Sequence, residues 1–203
     1  MHGHHDFNSV FDMLPEVKNE IKKCVEVLKK DGTILYPTDT IWGIGCDATS
    51  QKAVEKIYHL KKRVESKSLI ILLADMKEIS NYVETIPEIA RDLMKNVDRP
   101  LTIIYPNAKN LAKNVIAEDN SIAIRIVKNE FCKNLIRTFG KPIISSSANY
   151  SGEQTPMIFK CISQEIIDHV DYVVNLYQDV LQEVKPSRII KLQANGEFNI
   201  IRP

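Results

Sequence analysis

The stretch between residues 32 and 48, GTILYPTDTIWGIGCDA, places the strongest limits on the fold of this chain. Residues 33–36 form a short apolar run between Gly32 and Pro37, which is typical of a buried strand. Because proline cannot donate a hydrogen bond to a neighbouring strand, we expect the strand to end at Pro37. A loop should follow, with small polar side chains and two glycines that permit unusual dihedrals and close approach: Thr38, Asp39, Thr40, Gly43 and Gly45. A ligand-binding loop at a strand end and a plain hydrogen-bonded turn both fit this pattern.

Composition limits the broad class of protein. The chain has 203 residues, 44% hydrophobic and 26% charged, which suits a single globular core. Lysine and arginine number 27 against 26 acidic residues, so the net charge of +1 favours neither nucleic acid nor membrane as a partner. We expect residues 1–14 to form a flexible tail and residues 15–203 to form one catalytic domain.

The cysteines and the hydropathy pattern indicate the compartment. The four cysteines form no CxxC pair and show no metal-type spacing with histidine, so we expect reduced thiols. No apolar run approaches the length of a membrane span, and no signal peptide precedes the fold. These features predict a cytoplasmic protein without a membrane partner.

Hydrophobic periodicity predicts the regular elements. Apolar stripes indicate helices over residues 16–30, 53–62, 86–97, 111–117, 131–139 and 158–170. Apolar runs indicate further strands over residues 69–74, 101–105, 122–127, 143–144 and 172–174. Because helices and strands mix irregularly, we predict a single α/β domain with a mixed twisted sheet and flanking helices.

The end of the chain contains the clearest local signal. Asn195 and Gly196 lie between two β-rich runs, which predicts a hairpin with a two-residue type I′ turn. That turn would pair Ile189 with Arg202. It would therefore bring Ser187 and Arg202 to the same end of one hairpin.

Two arginines occur on strands that look buried. Arg125 lies in SIAIRIV, where both strand faces are apolar, and Arg202 shares a face with Ile200 and Phe198. Arginine is rarely buried unless it is paired, and a structural carboxylate is the commoner partner. Since few acidic residues lie nearby in the sequence, we favour the carboxylate and phosphates of a ligand.

Two further segments could bind phosphate. Lys61, Arg63 and Lys67 form a basic cluster, which is either a solvated helix end or part of a phosphate site. A polar run should follow a buried strand, where hydroxyl and backbone N–H groups can bind phosphate oxygens, although a ligand-free turn has the same composition: Ser145, Ser146, Ser147, Asn149 and Ser151. The sequence lacks a P-loop, a complete dinucleotide fingerprint and an evident Ser/His/Asp triad. An enzyme with these residues would act by positioning and electrostatics.

The motifs together resemble a known family. YPTDTIWGIGCDA, KKRVESKSL, RPLT, SIAIR, PIISSSANYSG, PSRII and IIRP resemble, in order and spacing, the YrdC-type threonylcarbamoyl-AMP synthases over residues 15–203. The resemblance implies a YrdC-like fold with a concave, positively charged face. It also implies synthesis of L-threonylcarbamoyl-AMP from L-threonine, bicarbonate and ATP, with release of pyrophosphate, for N6-threonylcarbamoyladenosine in tRNA.

The resemblance further implies roles for individual residues. The threonine-binding positions are Thr40, Arg125, Ser145 and Ser187, with Arg125 on the carboxylate. The ATP-binding positions are Arg63, Lys67, Ser121, Ser147, Asn149, Thr155 and Arg202. Lys61 and Arg63 are the implied catalytic residues, Mg²⁺ would accompany ATP, and no residue is implied as a dedicated metal ligand. The implied partners are the tRNA threonylcarbamoyl transferase machinery and, by direct contact, tRNA or double-stranded RNA.

The chain departs from the family pattern at four positions. Val64 and Ser68 replace usual prolines, Trp42 replaces a frequent tyrosine, and Arg188 replaces a usual threonine. The missing prolines could loosen the basic segment, and Arg188 could add a charge at the site. None of these changes removes an implied ligand contact.

Two other functions use the same features. An RNA-binding module could use the basic face without chemistry, but it would not need Thr40, Ser145 and Ser187. Carbamoyl transfer through carbamoyl-AMP, as in related domains of hydrogenase-maturation proteins, is a third hypothesis, although those domains belong to much longer chains.

Overall fold

Nine strands form one mixed sheet in a computed structural model that describes residues 14–62, 69–95, 98–150, 152–180 and 186–203. In chain order the strands are β1 (Ile34–Pro37), β2 (Trp42–Gly45), β3 (Ile70–Leu73), β4 (Leu101–Tyr105), β5 (Ile122–Ile126), β6 (Ile143–Ser147), β7 (Tyr172–Val173), β8 (Arg188–Leu192) and β9 (Phe198–Arg202). Their order in the sheet is β7-β1-β2-β6-β3-β5-β4-β8-β9. Three neighbouring pairs are parallel, β1–β7, β3–β5 and β4–β8, and the other five are antiparallel. The predicted α/β domain with a mixed sheet is confirmed.

Five α-helices lie within the described residues. They are α1 (Pro15–Lys29), α2 (Gln51–Lys61), α3 (Glu88–Lys95), α4 (Glu130–Phe139) and α5 (Gln164–His169). Helix α1 has proline in its first turn, where the missing N–H costs nothing, and it buries one apolar stripe: Val17, Ile21, Cys24, Val25 and Leu28. No helix in the described ranges is long and apolar enough to cross a bilayer. The tail predicted for residues 1–14 lies, except for Leu14, outside the described residues.

Two predicted helices are wrong in extent. The helix predicted over residues 158–170 is a 3₁₀ turn (Phe159–Cys161) followed by α5, because Ile162 is extended and Ser163 begins the next helix. The helix predicted over residues 111–117 is a single 3₁₀ turn (Lys113–Val115). Tertiary hydrogen bonds hold that turn, since Asn114 donates to the carbonyl of Gln51 and accepts from the hydroxyl of Tyr58. A third 3₁₀ segment, Met76–Asn81, follows β3.

The glycines of the 32–48 segment belong to a strand, which corrects the predicted loop. Gly43 and Gly45 lie in β2, which pairs with β1 on one side and β6 on the other. Neither glycine has a positive φ. Gly45 is instead required by close approach, because a Cβ there would lie 2.6 Å from the ring of Tyr36 and 2.7 Å from the carbonyl oxygen of Ile144. The loop itself is therefore only residues 38–41.

The serine run is also part of a strand. The short strand predicted at residues 143–144 continues through Ser147, so Ser145, Ser146 and Ser147 do not form a loop. Backbone pairing explains the extension, because Ser146 pairs with Ile44 of β2 while Ser145 pairs with Ile70 of β3. Strand β6 is thus the element that joins the two halves of the sheet.

The last hairpin has a different turn from the predicted one, and over residues 190–192 its pairing is shifted by one residue from the predicted register. Gly196 has a φ of +90°, whereas Asn195 does not have a positive φ, so the turn is not type I′. The Gln193 N–H donates to the carbonyl oxygen of Glu197 (2.8 Å), which closes a three-residue loop, and within it the Gly196 N–H donates to the carbonyl oxygen of Gln193 (3.0 Å). Ile201 is then an extra residue in β9, because Ile190 pairs with Ile200 while Ile189 pairs with Arg202. The longer loop and the bulge cancel, and the predicted pairing of Ile189 with Arg202 is confirmed.

Candidate functional site

A pocket of about 340 Å³ opens beside the loop after β1, the end of β6 and the end of the β8–β9 hairpin. Its lining includes seven of the side chains predicted to bind substrates: Thr40, Arg125, Ser145, Ser147, Thr155, Ser187 and Arg202. The other lining residues are Ile41, Trp42, Leu69, Ile70, Ser146, Met157 and Pro186. Because these residues come from segments far apart in the chain, the sheet order assembles the site.

Lys61 contacts the serine strand. It is 2% exposed, and its Nζ donates to Ser146 Oγ (2.6 Å), to the carbonyl oxygen of Ser147 (2.8 Å) and to Ser147 Oγ (3.2 Å). Ser145 and Ser147 are partly exposed and Ser146 is buried, as the alternation of a strand requires. The last turn of α2 therefore brings a cation to the edge of the pocket. The other predicted members of the basic cluster, Arg63 and Lys67, lie outside the described residues.

Arg125 has a structural carboxylate partner. Its guanidinium lies 3.1 Å from Asp39 Oδ1, with the two side chains 4% and 5% exposed, and it also donates to Thr40 Oγ1 at 3.4 Å. The partner that we expected to be a ligand carboxylate is therefore Asp39, which is distant in sequence but adjacent in the fold. Arg125 nevertheless lines the pocket, and its Nε is buried without a hydrogen-bond partner. The ion pair leaves part of the guanidinium available to an acceptor.

Arg202 and Ser187 meet at the end of the hairpin, as predicted, but the prediction that Arg202 lies on a buried strand is wrong, because β9 is an edge strand that is exposed along its length. Arg202 Nε donates to the carbonyl oxygen of Ser187 (2.8 Å), and its terminal nitrogen donates to Ser187 Oγ (3.2 Å). The hydroxyl of Ser187 also lies 2.7 Å from Thr102 Oγ1 of β4. Burial, and then the nearby charges of Arg125 and Arg99, lower the pKa of Arg202. Two neighbouring guanidinium groups therefore act on the charge of Arg202.

Two predicted ATP-binding residues do not line the pocket. Ser121, just before β5, donates its hydroxyl to Asp119 Oδ1 at 2.5 Å, and Asp119 is also paired with Lys191. Asn149, just after β6, donates to the carbonyl oxygens of Tyr150 (2.9 Å) and Glu153 (2.8 Å). Both side chains therefore form hydrogen bonds within their own loops. The Oδ1 of Asn149 is buried and has no hydrogen-bond partner.

Sequence reasoning did not select Trp42, Asp39 or Arg99 as site residues. Trp42 lines the pocket, is 1% exposed and packs on Phe159 with ring centroids 4.9 Å apart. Its indole N–H is buried and has no hydrogen-bond partner. The available signals were the position of Asp39 in the segment after Pro37 and the arginine of RPLT, but only the fold shows what they face.

The chemistry of the lining favours an anion that carries hydroxyl or carbonyl oxygens. Guanidinium groups of Arg125 and Arg202 are combined with several hydroxyls, and both Trp42 and Arg125 present buried donors that lack an acceptor. Such donors are uncommon in proteins and are satisfied by an acceptor-rich ligand. Among the described residues no cluster of three or more His, Cys, Asp or Glu side chains could hold a metal ion.

The fold and the site define an α/β protein with a mixed sheet and a pocket that is lined by two arginines and several hydroxyl groups. The family described as "Telomere recombination", which groups Sua5, YciO and YrdC, matches residues 26–203. The threonylcarbamoyl-AMP synthase of Pseudoalteromonas translucida is 31% identical over 161 residues, which cover 78% of this chain and 86% of the relative. A putative threonylcarbamoyl-AMP synthase of Methanocaldococcus jannaschii is 32% identical over 198 residues, 95% of this chain and 92% of the relative. The chain belongs to the Sua5/YciO/YrdC family.

Solved structures share the fold. A variant of Sua5 from P. abyssi superposes with a TM-score of 0.82 and 24% identity, covering 94% of this chain and 57% of that chain. This chain therefore spans little more than half the length of that Sua5. YciO from E. coli superposes with a TM-score of 0.76 and 25% identity, covering 90% of this chain and 87% of that chain. The predicted YrdC-like fold is confirmed.

Proposed function

We propose that this chain is an L-threonylcarbamoyladenylate synthase, which makes L-threonylcarbamoyl-AMP from L-threonine, bicarbonate and ATP and releases pyrophosphate. The product would supply the threonylcarbamoyl group of N6-threonylcarbamoyladenosine in tRNA. Two relatives that carry the synthase name, one of them as putative, are 31% and 32% identical to this chain over 86% and 92% of their length. The observation that carries the proposal is the single pocket in which Arg125 and Arg202 lie among the hydroxyls of Thr40, Ser145 and Ser187.

The amino acid would bind at the Arg125 end of the pocket. A guanidinium suits a carboxylate, and Arg125 retains a buried N–H without an acceptor. Thr40, Ser145 and Ser187 would surround the substrate with hydroxyls, one of which would bond the threonine side chain. Asp39 would hold Arg125 in position, because its carboxylate already contacts the same guanidinium.

The nucleotide would occupy the side formed by β6 and the hairpin end. Ser147, Thr155 and Arg202 line that side of the pocket. Of the remaining proposed ATP-binding residues, Ser121 precedes β5, Asn149 follows β6, and Arg63 and Lys67 lie outside the described residues. Mg²⁺ would be bound mainly by the phosphates and water, since Mg²⁺ in nucleotide sites commonly retains several waters.

The reaction needs charge stabilisation and no protein nucleophile. A carboxylate oxygen of the threonine-derived carbamate would attack the α-phosphorus of ATP, forming a P–O bond while the α–β phosphoanhydride bond breaks and pyrophosphate leaves. Lys61 and Arg63 would stabilise the negative charge that develops on the phosphate oxygens. Lys61 is already oriented for this by three hydrogen bonds to β6. Mg²⁺ would supply further charge neutralisation at the phosphates.

The wider role is part of the same proposal. The enzyme would act in the cytoplasm and pass its product to the tRNA threonylcarbamoyl transferase machinery. Its basic residues would also permit direct contact with tRNA or double-stranded RNA. All four cysteines are free thiols, which suits a reducing compartment.

Pyrophosphate release with each substrate omitted in turn tests the proposal. We expect release only when ATP, bicarbonate and threonine are all present. Serine keeps the hydroxyl and loses one methyl, a penalty of about 1 kcal/mol, whereas valine leaves the hydroxyl-binding groups unpaired. The expected order of rates is therefore threonine, then serine, with valine far behind.

Other outcomes would contradict the proposal in different ways. An RNA-binding module would release no pyrophosphate with any amino acid. Release that needs carbamoyl phosphate in place of threonine and bicarbonate would indicate the carbamoyl-AMP reaction. Equal rates with valine and threonine would mean that the hydroxyls do not form the amino-acid site.

A further inference from the structure

Arg99 is a half-buried arginine for which the described residues provide no ion-pair partner. Its Nε is buried and has no hydrogen-bond partner. Within the described part of the chain its guanidinium forms no ion pair; the carboxylate of the site, Asp39, is paired with Arg125. Buried donors without an acceptor cost free energy in the unliganded protein, so a position like this one is explained by a ligand that supplies the acceptor.

The backbone places Arg99 at the end of the hairpin that carries Arg202. Arg99 directly precedes Pro100, whose carbonyl oxygen accepts a hydrogen bond from Arg188 N (3.0 Å), the residue after Ser187. Strand β4 then runs parallel to β8, with Leu101 paired with Arg188. Arg202 is bonded to Ser187 at the same end. Arg99 therefore lies just before β4, at the end of the sheet where Arg202 contacts Ser187; it is not itself part of the pocket lining.

The charges around Arg202 do not balance. Burial lowers the pKa of Arg202, and the positive charges of Arg125 and Arg99 lower it further, so both guanidinium groups repel that of Arg202. Among the described residues, the carboxylate of Asp39 lies 3.1 Å from Arg125 and offsets the charge of that arginine. An anion with more than one negative charge would relieve the remaining repulsion and satisfy the unpaired N–H of Arg99.

We propose that Arg99 and Arg202 together form one subsite for a phosphate group of the nucleotide, at the end of the β8–β9 hairpin and distinct from the guanidinium of Arg125 that faces Asp39. The proposal rests on the proposed function, because it takes ATP as the polyanion. A phosphate presents several acceptor oxygens and so can accept from two guanidinium groups at once, whereas the carboxylate of threonine is assigned to Arg125.

Calorimetric titration of Mg·ATP into the full chain tests the subsite. Arg99→Gln removes the charge and keeps polar side-chain atoms, and we expect it to weaken ATP binding by about tenfold or more. Arg99→Lys keeps the charge and should recover part of that loss. The affinity for threonine, titrated without ATP and followed by the fluorescence of Trp42, the only tryptophan, should change by less than about twofold.

A matched control separates the subsite from a general effect of removing charge. Arg137 on α4 is paired with Asp75 at 2.8 Å and lies outside the pocket lining, so Arg137→Gln should leave the ATP affinity unchanged. The loss caused by Arg99→Gln should also shrink as salt is raised, because screening weakens the charge-dependent part of wild-type binding.

Four results would overturn the proposal. They are unchanged ATP affinity in Arg99→Gln, an equal loss in Arg137→Gln, a loss confined to threonine, and a loss confined to a short duplex RNA used as the alternative polyanion. Failure of the proposed function gives a different signature. In that case wild-type protein releases no pyrophosphate from the complete mixture, while the dependence of ATP binding on Arg99 remains measurable.

Discussion

The guanidinium of Arg125 lies 3.1 Å from the carboxylate of Asp39, and both side chains are almost completely buried. This pair connects the loop after β1 to β5, although β2, β6 and β3 lie between β1 and β5 in the sheet. Because Arg125 also lines the pocket, the pair serves both stability and the site. Removing one partner would leave an uncompensated buried charge.

The stability of the Asp39–Arg125 pair can be measured by a double-mutant cycle. Asp39→Ala and Arg125→Ala should each lower the free energy of unfolding by about 3–5 kcal/mol, and the double variant should lose clearly less than the sum. Urea unfolding provides the measurement. The exposed pair Arg137–Asp75 is the matched control, and its coupling should stay below about 1 kcal/mol. Additive losses at Asp39 and Arg125 would contradict a direct interaction.

We expect Lys61 to contribute more to catalysis than to the packing of α2 against β6. Lys61→Met removes the cation that three hydrogen bonds hold against β6, and we expect kcat for pyrophosphate release to fall by about 100-fold or more. Ser146→Ala removes one of the three acceptors, so its loss should stay below about tenfold. The neighbouring Lys62, which is exposed and lies over the ring of Tyr150, is the control, and Lys62→Met should remain close to wild type. Equal losses at both lysines would exclude a specific role for Lys61.

Gly196 should link the hairpin turn to the site. It has a φ of +90° and open space around its Cα, so Gly196→Ala should cost about 1–2 kcal/mol from the left-handed backbone alone. Gly140, at the end of α4, has a φ of +83° and equally open space, so Gly140→Ala should cost a similar amount. Only the Gly196 change should also weaken ATP binding, because the turn sets the register that brings Arg202 to Ser187. Parallel unfolding and ATP titrations compare the two variants; an equal effect on ATP binding would show that the register has no special role.

The ion pair of Asp119 should give the free energy of unfolding a small acid dependence. Hydrogen bonds from Lys191 and then Ser121 lower the pKa of Asp119 to about 2. Because the folded pKa is below the unfolded value of about 3.9, the stabilisation is present above pH 4 and is lost as the pH falls towards 2. The carboxylate is half exposed, so the contribution should stay below about 1 kcal/mol. The difference in unfolding free energy between wild type and Asp119→Asn should be constant above pH 5 and disappear near pH 2; a constant difference throughout would contradict the assignment.

Local pattern predicts much of this fold, and the exceptions have physical causes. Strands β4 and β5 and helix α4 follow the periodicity within a residue or so, because each has a long, unambiguous apolar pattern. The serines of β6 read as a loop because their strand character comes from partners on both sides, β2 and β3, and not from their own propensity. The sequence did not reveal the interruption at Ile162. The spacing of its apolar residues fits one continuous helix as well as it fits a 3₁₀ turn followed by a short helix.

The functional site, like the fold, could be predicted only in part from the sequence. The hairpin brought Ser187 and Arg202 together as predicted, although the turn type differs and a bulge restores the register. Asp39 could not be recognised as the partner of Arg125 from the sequence. The two residues are far apart in the chain, and only the strand order of the folded sheet makes them neighbours. Ser121 and Asn149 match family motifs, yet in this structure they bond to their own loops, and their roles towards ATP stay predictions.

The central position of β6 also determines when the pocket can exist during protein synthesis. The first hairpin of the sheet, β1–β2, ends at Gly45, but its inner neighbour β6 begins at Ile143 and its outer neighbour β7 begins at Tyr172. About 100 further residues must therefore leave the ribosome before the other edge of β2 can pair with β6, which takes roughly 5–20 s at ordinary elongation rates. Non-local pairing of this kind also slows folding itself. A nascent chain would thus present the apolar edge of β2 for many seconds and would gain a ligand site only after Arg202 has emerged.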